Sequence, residues 1–283
     1  TGYPSIGLEY SVFEKGPVEA FRAVERLFQV LRGETGMWIT THGGARVFIA
    51  AEAGGAMALT GLQRSPVKYS TGIINGDSLG LDKVSLVKLE NNMQAFFRPD
   101  GGHVMFDNEG MPRGELIAYE TSQALGFKGL VPPTVLRSLG GHQGTLQLAA
   151  SGREGDFFIK DGVLPASLKD ETIAHAAAFD HILHNGDRHS SNYLITSNNR
   201  LHLIDHEYIL THTEGGSGES DFLRNARLRN LKLAPYMGAF KTHRQDVFSA
   251  VKKTGGNEIA QLVLDRIDRM LATAARGGDF EDL

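Results

Sequence analysis

Three things are scarce in this sequence: cysteine, long apolar runs and a strong excess of charge of one sign. There is no Cys, which excludes disulfides, thiolate catalysis and thiolate metal sites, although it does not fix the compartment. No apolar run reaches the length of about 18 residues that a membrane-spanning helix needs, so we expect no membrane span. The net charge of −4 predicts no general attraction to nucleic acid or to anionic membranes. The chain also shows no internal repeat, coiled-coil heptad or low-complexity tract.

What is present is typical of a globular protein. The 283 residues are 41% hydrophobic and 22% charged, enough for one large domain or two lobes with an apolar interior. The first residue is Thr1, without an initiating Met or a signal-peptide pattern. This fits a piece of a longer protein and leaves the localisation of the protein unknown.

The most informative stretch covers residues 179–210, FDHILHNGDRHSSNYLITSNNRLHLIDHEYIL. Apolar spacing over 168–183 predicts a helix, and we expect Asn185-Gly186 to end it, because Gly accepts the left-handed cap. Two short strands follow, at 193–195 and 201–204, joined by a turn. The polar residues between helix and hairpin should therefore lie close to Asp205, which comes at the end of the second strand.

Phosphoryl transfer requires such a set of side chains. A carboxylate must orient the acceptor hydroxyl, and amide and carboxylate oxygens must hold Mg²⁺ on the nucleotide phosphates. Asp187 and Asn192 have the D-x-x-x-x-N separation of the kinase catalytic loop. We therefore assign Asp187 and His189 to catalysis, and Asn192 and Asp205 to the metal.

The order of residues in this loop resembles one family in particular. Residues 186–192 read G-D-R-H-S-S-N, followed by a strand and Ile204-Asp205. This resembles the G-D-R-H-x-x-N … I-D pattern of the phosphoinositide 3/4-kinase superfamily, and of its atypical protein kinase branch in bacteria and the secretory pathway. The resemblance implies binding of ATP with Mg²⁺ (or Mn²⁺). Arg188 is expected to brace the loop rather than to touch the substrate.

The resemblance extends upstream from the loop. The strand ending Phe97-Arg98-Pro99 is similar to the family's apolar residues and Lys-Pro, where the Lys contacts phosphates and pairs with a Glu of the next helix. Here that position holds Arg98, which is not equivalent to Lys, so the chain could be a natural variant that still works, an impaired or engineered inactive kinase, or a pseudokinase. Lys88 could substitute if it faces inward. The string 113–119, RGELIAY, is similar to R-x-E-x-x-A-Y/F and favours Glu115 over Glu120 as the partner of Arg98.

Two further motifs lie between this helix and the loop. Residues 131–137, VPPTVLR, and 144–147, GTLQ, are similar to V-P-P-T-V-x-R and G-S-x-Q of the same protein kinase group. They lead to a hinge that we expect at 149–152. This branch favours a protein substrate as acceptor, while a lipid or small-molecule acceptor stays open.

These elements predict an α+β, two-lobed protein-kinase-like fold. We expect an accessory region over residues 1–75, an N-terminal lobe over 76–151 and a C-terminal lobe over 152–283. In the accessory region we expect a helix over Pro17–Leu31 and a hairpin at 37–51. A Gly-containing turn at 77–81 precedes paired strands at 84–89 and 93–98, and a helix follows at 112–125. Two amphipathic helices, at 244–253 and 257–275, should close the chain.

Three alternatives to an active kinase remain. Arg98 favours a pseudokinase that binds nucleotide without turnover. An adenylyl transferase could use the same fold with the nucleotide reversed. A metal-dependent phosphohydrolase is the rival chemistry, because His and Asp alternate here, although the His spacing typical of such sites is absent. Finally, a basic segment formed by Arg224, Arg227, Arg229, Lys232, Lys241 and Arg244 could meet an anionic substrate or simply be a solvated face.

Overall fold

A computed structural model describes residues 36–40, 46–50, 59–70, 84–90, 93–100, 113–210 and 219–283. The chain divides into two compact units, Thr1–Ala58 and Leu59–Leu283. In the first unit, β1 (Gly36–Thr40) and β2 (Arg46–Ala50) pair as an antiparallel hairpin, which confirms the predicted hairpin. The predicted helix over Pro17–Leu31 and the turn at 77–81 lie outside the described residues.

The second unit contains a five-stranded antiparallel sheet. Its strand order is β3-β4-β5-β7-β6, and the neighbouring strands are antiparallel. The strands are β3 (Val67–Ser70), β4 (Ser85–Leu89), β5 (Gln94–Pro99), β6 (Thr134–Leu139) and β7 (His142–Leu148). The paired strands predicted at 84–89 and 93–98 are confirmed as β4 and β5.

The two faces of this sheet differ in character. One face carries fully buried apolar side chains such as Val87, Phe97 and Leu146. A helical segment at residues 59–64 lies near that face, where Arg137 of β6 donates to the Leu62 and Ser65 carbonyls at 2.5 and 2.6 Å. Directly paired residues of antiparallel strands share a face, so Arg98, paired with Thr145, lies on the opposite one.

Helix α1 (Gly114–Ala124) contacts β6, β7 and the last helix of the chain. It matches the helix predicted from Pro112, and its buried residues include Glu115, Leu116 and Ile117. An acidic side chain, Glu115, is therefore buried in the first turn of α1, where its carboxylate requires hydrogen-bond partners.

The remainder of the second unit is mainly helical. Its described residues form a small antiparallel sheet of order β10-β9-β8 and four helices, and the core lies where these helices pack together. The elements are β8 (Arg153–Glu154), α2 (Asp170–Leu183), β9 (Tyr193–Ile195), β10 (Leu201–Leu203), α3 (Asp221–Leu228), α4 (Gly238–Thr242) and α5 (Arg244–Ala275). Helix α5 breaks at Gly256, whose φ is 86°, so the two predicted terminal helices are confirmed as its halves.

The predicted end of α2 was wrong. The left-handed residue is His184, with φ 49°, not Gly186. The Asn185 N–H donates to the Asp180 carbonyl at 2.9 Å and the His184 N–H to the His181 carbonyl at 3.1 Å. These bonds close the last helical turn before Gly186 is reached, so the helix ends without glycine.

The mixed composition of helix and sheet confirms the α+β class. The first compact unit ends at Ala58, so β3, from the segment predicted to be accessory, belongs to the main sheet through β4. The two-lobed arrangement and its division into 76–151 and 152–283 stay predictions. Among the described residues, no helix has the length and apolarity that crossing a membrane requires.

Candidate active site

The loop Asp187–Asn192 is closed by its own hydrogen bonds. The Asn192 side-chain amide donates to the Asp187 carbonyl at 2.7 Å and to Asp187 Oδ2 at 3.2 Å. The Asp187 N–H donates to the Asn185 side chain at 3.1 Å. The two residues predicted as base and metal ligand are therefore neighbours, and the Asp187 carboxylate is 39% exposed.

His189 lies beside this carboxylate. Its Nδ1 accepts from the Ser191 N–H at 3.2 Å, so a neutral ring carries its proton on Nε2. Nε2 lies 4.0 Å from Asp187 Oδ1. His189 thus presents an N–H, and not a lone pair, to the region around the Asp187 carboxylate.

Arg188 points the opposite way, into the protein. Its side chain is fully buried and its Nε lies 3.2 Å from Asp180 Oδ1 in α2. Its Nη1 donates to the carbonyls of Asn192 and Ile204, both at 2.5 Å. Arg188 therefore braces the loop against α2 and β10, as expected from the sequence.

Asp205 follows β10 and lies next to the loop. The Ile204 N–H donates to the Asn192 carbonyl at 3.1 Å, which fixes the end of this strand beside Asn192. Asp205 itself has a left-handed backbone with φ 57°, a conformation that Asp tolerates better than most residues but that still has an energetic cost. Its side chain is 37% exposed, so the carboxylate is accessible.

Arg98 reaches Asp205 from the five-stranded sheet. Its Nη2 lies 2.9 Å from Asp205 Oδ1, and its Nη1 contacts the Glu207 carboxylate. The guanidinium thus bridges two carboxylates at the place predicted for nucleotide phosphates. Glu207 was not among the predicted residues, although its position two residues after Asp205 is the signal that could have found it.

Glu115, the predicted partner of Arg98, has other direct partners. It accepts from the His206 N–H at 2.8 Å and the His206 Nδ1 at 2.9 Å. It also accepts from Gln147 Nε2 at 2.9 Å. Among the described residues, Arg98 therefore pairs with Asp205 and Glu207, whereas Glu115 bonds to His206 and Gln147.

The electrostatics of Glu115 agree with these contacts. Burial alone would raise the pKa of Glu115, but the charge and hydrogen bonds of His206 and the charge of Arg98 outweigh it and lower the pKa to about 2. An ionised carboxylate only accepts, so Nδ1 of His206 carries a hydrogen. The other ring nitrogen, Nε2, is buried and has no hydrogen-bond partner among the described residues.

Lys88, the alternative phosphate contact, is separated from Arg98. It pairs with Gln94, four residues before Arg98 on β5, so the two basic residues share a face of the sheet. At about 3.4 Å per strand residue, their backbones lie roughly 13 Å apart. A single phosphate would not contact both side chains unless Lys88 reached along the strand.

The donor set near Asp205 fits Mg²⁺. Carboxylate and amide oxygens are the ligands that Mg²⁺ prefers, and Asp205 and Asn192 supply them. The side-chain nitrogen of Asn192 donates to Asp187. The side-chain oxygen, Oδ1, therefore points away from Asp187 and is the acceptor that Asn192 can offer to a cation. In the described part of the chain, no cluster of three His, Asp or Glu residues has the geometry to hold a metal ion.

The basic segment after residue 220 is largely neutralised. Five of its six cations pair with carboxylates of this chain: Arg224 with Asp221, Arg227 with Glu219, Arg229 with Asp170, Lys232 with Asp279 and Arg244 with Asp268. The segment therefore offers little unpaired positive charge for an anionic partner.

Comparison with known proteins gives one family match. Residues 171–254 match the family model of phosphatidylinositol 3- and 4-kinase, whereas no curated protein matches the chain. The matched region begins in α2 and ends in α5, and it contains the Asp187–Asn192 loop and Asp205 but neither Arg98 nor Glu115. Members of this family are kinases that use ATP and Mg²⁺. The match over residues 171–254 supports membership of the chain in the phosphatidylinositol 3- and 4-kinase-like superfamily.

Proposed function

We propose that this protein is an ATP- and Mg²⁺-dependent kinase that phosphorylates a hydroxyl group, with a protein as the acceptor. The observation that carries the proposal is the cluster of Asp187, Asn192 and Asp205. The Asn192 side chain donates to Asp187. The Asn192 backbone carbonyl accepts from Ile204, the residue before Asp205. A base and two oxygen ligands for a cation are thus held in one hydrogen-bonded unit.

Asp187 is the proposed base. Its carboxylate is partly exposed and held by Asn192, so it can accept the proton of an acceptor hydroxyl. The hydroxyl oxygen then forms a bond to the γ-phosphorus while the bond from that phosphorus to the β-phosphate oxygen breaks, and ADP leaves. Nε2–H of His189 lies 4.0 Å from Asp187 Oδ1 and can donate to negative charge that develops there, which favours charge stabilisation by His189 over proton abstraction.

Asn192 and Asp205 would hold Mg²⁺, which neutralises phosphate charge when it is bound. Arg98 lies within reach of the same position through its contact with Asp205. Its planar guanidinium can bind two phosphate oxygens at once. We assign Arg98 to the phosphates, and we keep Lys88 as a more distant contributor on the same sheet face.

A second candidate is a pseudokinase. It is favoured by the contacts of Arg98 with both Asp205 and Glu207, since a guanidinium neutralising the metal-binding carboxylate competes with a cation for it. If this contact persists with nucleotide present, the protein binds ATP without turnover. Nucleotide binding by a chain that transfers no phosphate, and that Arg98→Lys leaves unchanged, would support this candidate.

A protein acceptor is supported by two observations. The V-P-P-T-V-x-R and G-T-L-Q motifs resemble the protein kinase branch, and the basic segment that would meet an anionic lipid headgroup is mostly ion-paired within the chain. Within this proposal, residues 76–151 and 152–283 form two lobes joined by a hinge at 149–152. ATP would bind between them.

The test is transfer of label from γ-labelled ATP with Mg²⁺ to the protein itself, to a generic protein substrate and to water. We would compare the wild-type chain with Asp187→Asn, Asp205→Asn and Arg98→Lys; Asn keeps the size of each Asp and tolerates the backbone of residue 205. Asp187→Asn should lower kcat by about 10²–10⁴, and Asp205→Asn by several orders of magnitude. Glu120→Gln, which changes an acid elsewhere on α1, is the matched control and should keep wild-type activity.

The arms of this assay separate the alternatives. Label from α-labelled ATP on the acceptor would identify an adenylyl transferase, and free labelled phosphate without any acceptor would identify a phosphohydrolase. Transfer that begins only in Arg98→Lys would identify an impaired kinase. If no variant transfers label and the wild type binds no Mg²⁺–ATP, the proposed function is wrong.

A further inference from the structure

A buried carboxylate holds the residue next to Asp205. Glu115 accepts from the His206 backbone N–H with Oε1, at 2.8 Å, and from His206 Nδ1 with Oε2, at 2.9 Å. The ring of His206 is fully buried and lies edge-on to Phe179, with ring centroids 6.4 Å apart. One carboxylate therefore fixes both the backbone and the side chain of the residue that follows Asp205.

Glu115 is itself held from the sheet. Gln147 Nε2 donates to Glu115 Oε2 at 2.9 Å and to Thr134 Oγ1 at 3.1 Å, and Thr134 donates to the Pro132 carbonyl at 2.9 Å. Thr134 and Gln147 are paired across β6 and β7. The G-T-L-Q strand thus binds the Glu115 carboxylate directly through Gln147, and the P-P-T-V strand orients Gln147 through Thr134.

Gly114 provides an independent indication of the same contact. A Cβ atom at Gly114 would lie within 3.0 Å of the His206 carbonyl oxygen, and that neighbour is the backbone of the residue that follows Asp205. The first turn of α1 therefore approaches both the N–H and the carbonyl of His206. This close approach requires glycine at position 114.

The backbone conformation of Asp205 explains why the contacts of Glu115 and Gly114 with His206 are needed. Its left-handed backbone, with φ 57°, is costly for a residue other than glycine and persists only where surrounding contacts impose it. Arg98 binds the side chain of Asp205, through the carboxylate. Glu115 and Gly114, in contrast, contact the backbone of the residue that follows.

We infer that Glu115 is a positioning residue for Asp205: it fixes the Asp205–His206 peptide, and through it the direction of the Asp205 carboxylate, instead of serving as the ion-pair partner of Arg98. Helix α1 is thereby coupled to the metal ligand and not to the phosphate-binding cation. The inference rests on the proposed function, because the direction of the Asp205 carboxylate matters to a cation only if Asp205 binds one.

The test compares Glu115→Gln with Glu120→Gln in the full chain. Glu120 lies on the same helix, but it accepts from Lys253 Nζ at 2.9 Å and Thr254 Oγ1 at 2.6 Å, away from His206. In Glu115→Gln the new amide would offer one acceptor oxygen to three donors, so the hold on His206 weakens. Mn²⁺ binding in the presence of ATP, followed by the electron paramagnetic resonance of free Mn²⁺, should weaken about tenfold or more in Glu115→Gln and stay at the wild-type value in Glu120→Gln.

A second readout needs neither metal nor activity. In the metal-free protein, hydrogen exchange at the His206 amide should be slow in the wild type and in Glu120→Gln, and fast in Glu115→Gln. His206→Asn keeps an N–H donor near the position of Nδ1 and should retain Mn²⁺ affinity, whereas His206→Leu should lose it. Both changes break the contact between Glu115 and the His206 ring, while the backbone N–H remains in His206→Leu, so the double variant should weaken Mn²⁺ binding by less than the two single losses combined.

The outcomes separate the two claims. If the wild type binds Mn²⁺ with ATP and a folded Glu115→Gln variant binds it equally well, the inference is overturned while the proposed function stands. Additive losses in the double variant overturn it as well. If the wild type itself binds no Mn²⁺ with ATP, the proposed function fails and the positioning role fails with it.

Discussion

Arg188 provides the sharpest test of what orders the loop. Its fully buried side chain binds Asp180, which is 1% exposed, and two backbone carbonyls. Arg188→Met would leave the Asp180 carboxylate buried with the Ser220 hydroxyl, at 2.8 Å, as its remaining side-chain donor among the described residues. Removing one partner of a buried ion pair costs about 3–5 kcal/mol, a large part of the roughly 5–15 kcal/mol that stabilises a typical domain.

The double variant Arg188→Met with Asp180→Leu tests the reason for this loss. Without either charge, no carboxylate is left buried and unpaired, so part of the stability should return. Arg244→Met is the control, because its ion pair with Asp268 is 41% and 43% exposed and water screens such a pair, so its removal should change stability little.

Urea unfolding followed by far-UV circular dichroism is the appropriate assay. Fluorescence of the single tryptophan would report on the wrong part of the chain, since Trp38 lies in the unit that ends at Ala58. If Arg188→Met lowers the free energy of unfolding no more than Arg244→Met does, the buried ion pair is not what holds the loop.

Three further predictions concern stability. Burial, followed by the charges of Arg266 and Arg269, lowers the pKa of His181 to about 4. Because His181 in the unfolded chain binds a proton from about pH 6.5 downward, the free energy of unfolding should fall by on the order of 3 kcal/mol between pH 6.5 and 4. His181→Gln should remove this pH dependence in urea titrations. The pKa of Glu115 is lowered to about 2 in the folded protein, so its ionised carboxylate stabilises the fold fully above about pH 4.5, and this stabilisation is lost as the pH falls towards 2. If the free energy of unfolding of Glu115→Gln falls with acid in parallel with that of the wild type, this prediction is contradicted. A Cβ at Gly144 would lie within 3.0 Å of the Arg98 carbonyl, so Gly144→Ala should lower the free energy of unfolding by about 1–3 kcal/mol, and an unchanged melting temperature would refute the close strand contact.

Features set by local sequence were predicted well. The loop from Asp187 to Asn192 is six residues long, so its spacing alone brings the Asp187 carboxylate and the Asn192 amide together, and the turn between β9 and β10 returns Asp205 to it. The paired strands β4 and β5 and the halves of α5 follow from apolar periodicity over short windows. The sequence also predicted that Arg188 braces the loop, and its bonds to Asp180 and to the Asn192 and Ile204 carbonyls confirm this.

Features set by distant contacts could not be predicted. Whether Glu115 binds Arg98 or His206 depends on how α1 lies against the end of β10, and no periodic pattern encodes that distance. The part played by Gln147 was hidden for the same reason, although its motif had been noticed. The end of α2 at His184 was missed because glycine is only the commonest left-handed cap, and hydrogen bonds back to Asp180 and His181 can impose that conformation on other residues.

The contacts of Arg188 also bear on the order in which the site forms. Its loop, Asp180 and Ser220 lie within 40 residues of one another, whereas the Arg98–Asp205 contact spans 107 residues and the Glu115–His206 contact spans 91. Closing the shorter chain segments costs less entropy, so the segment with the proposed base and metal ligands can assemble first during folding. Arg98 and Glu115 would join it late, and a refolding intermediate would have an ordered Asp187–Asn192 loop before Arg98 reaches Asp205.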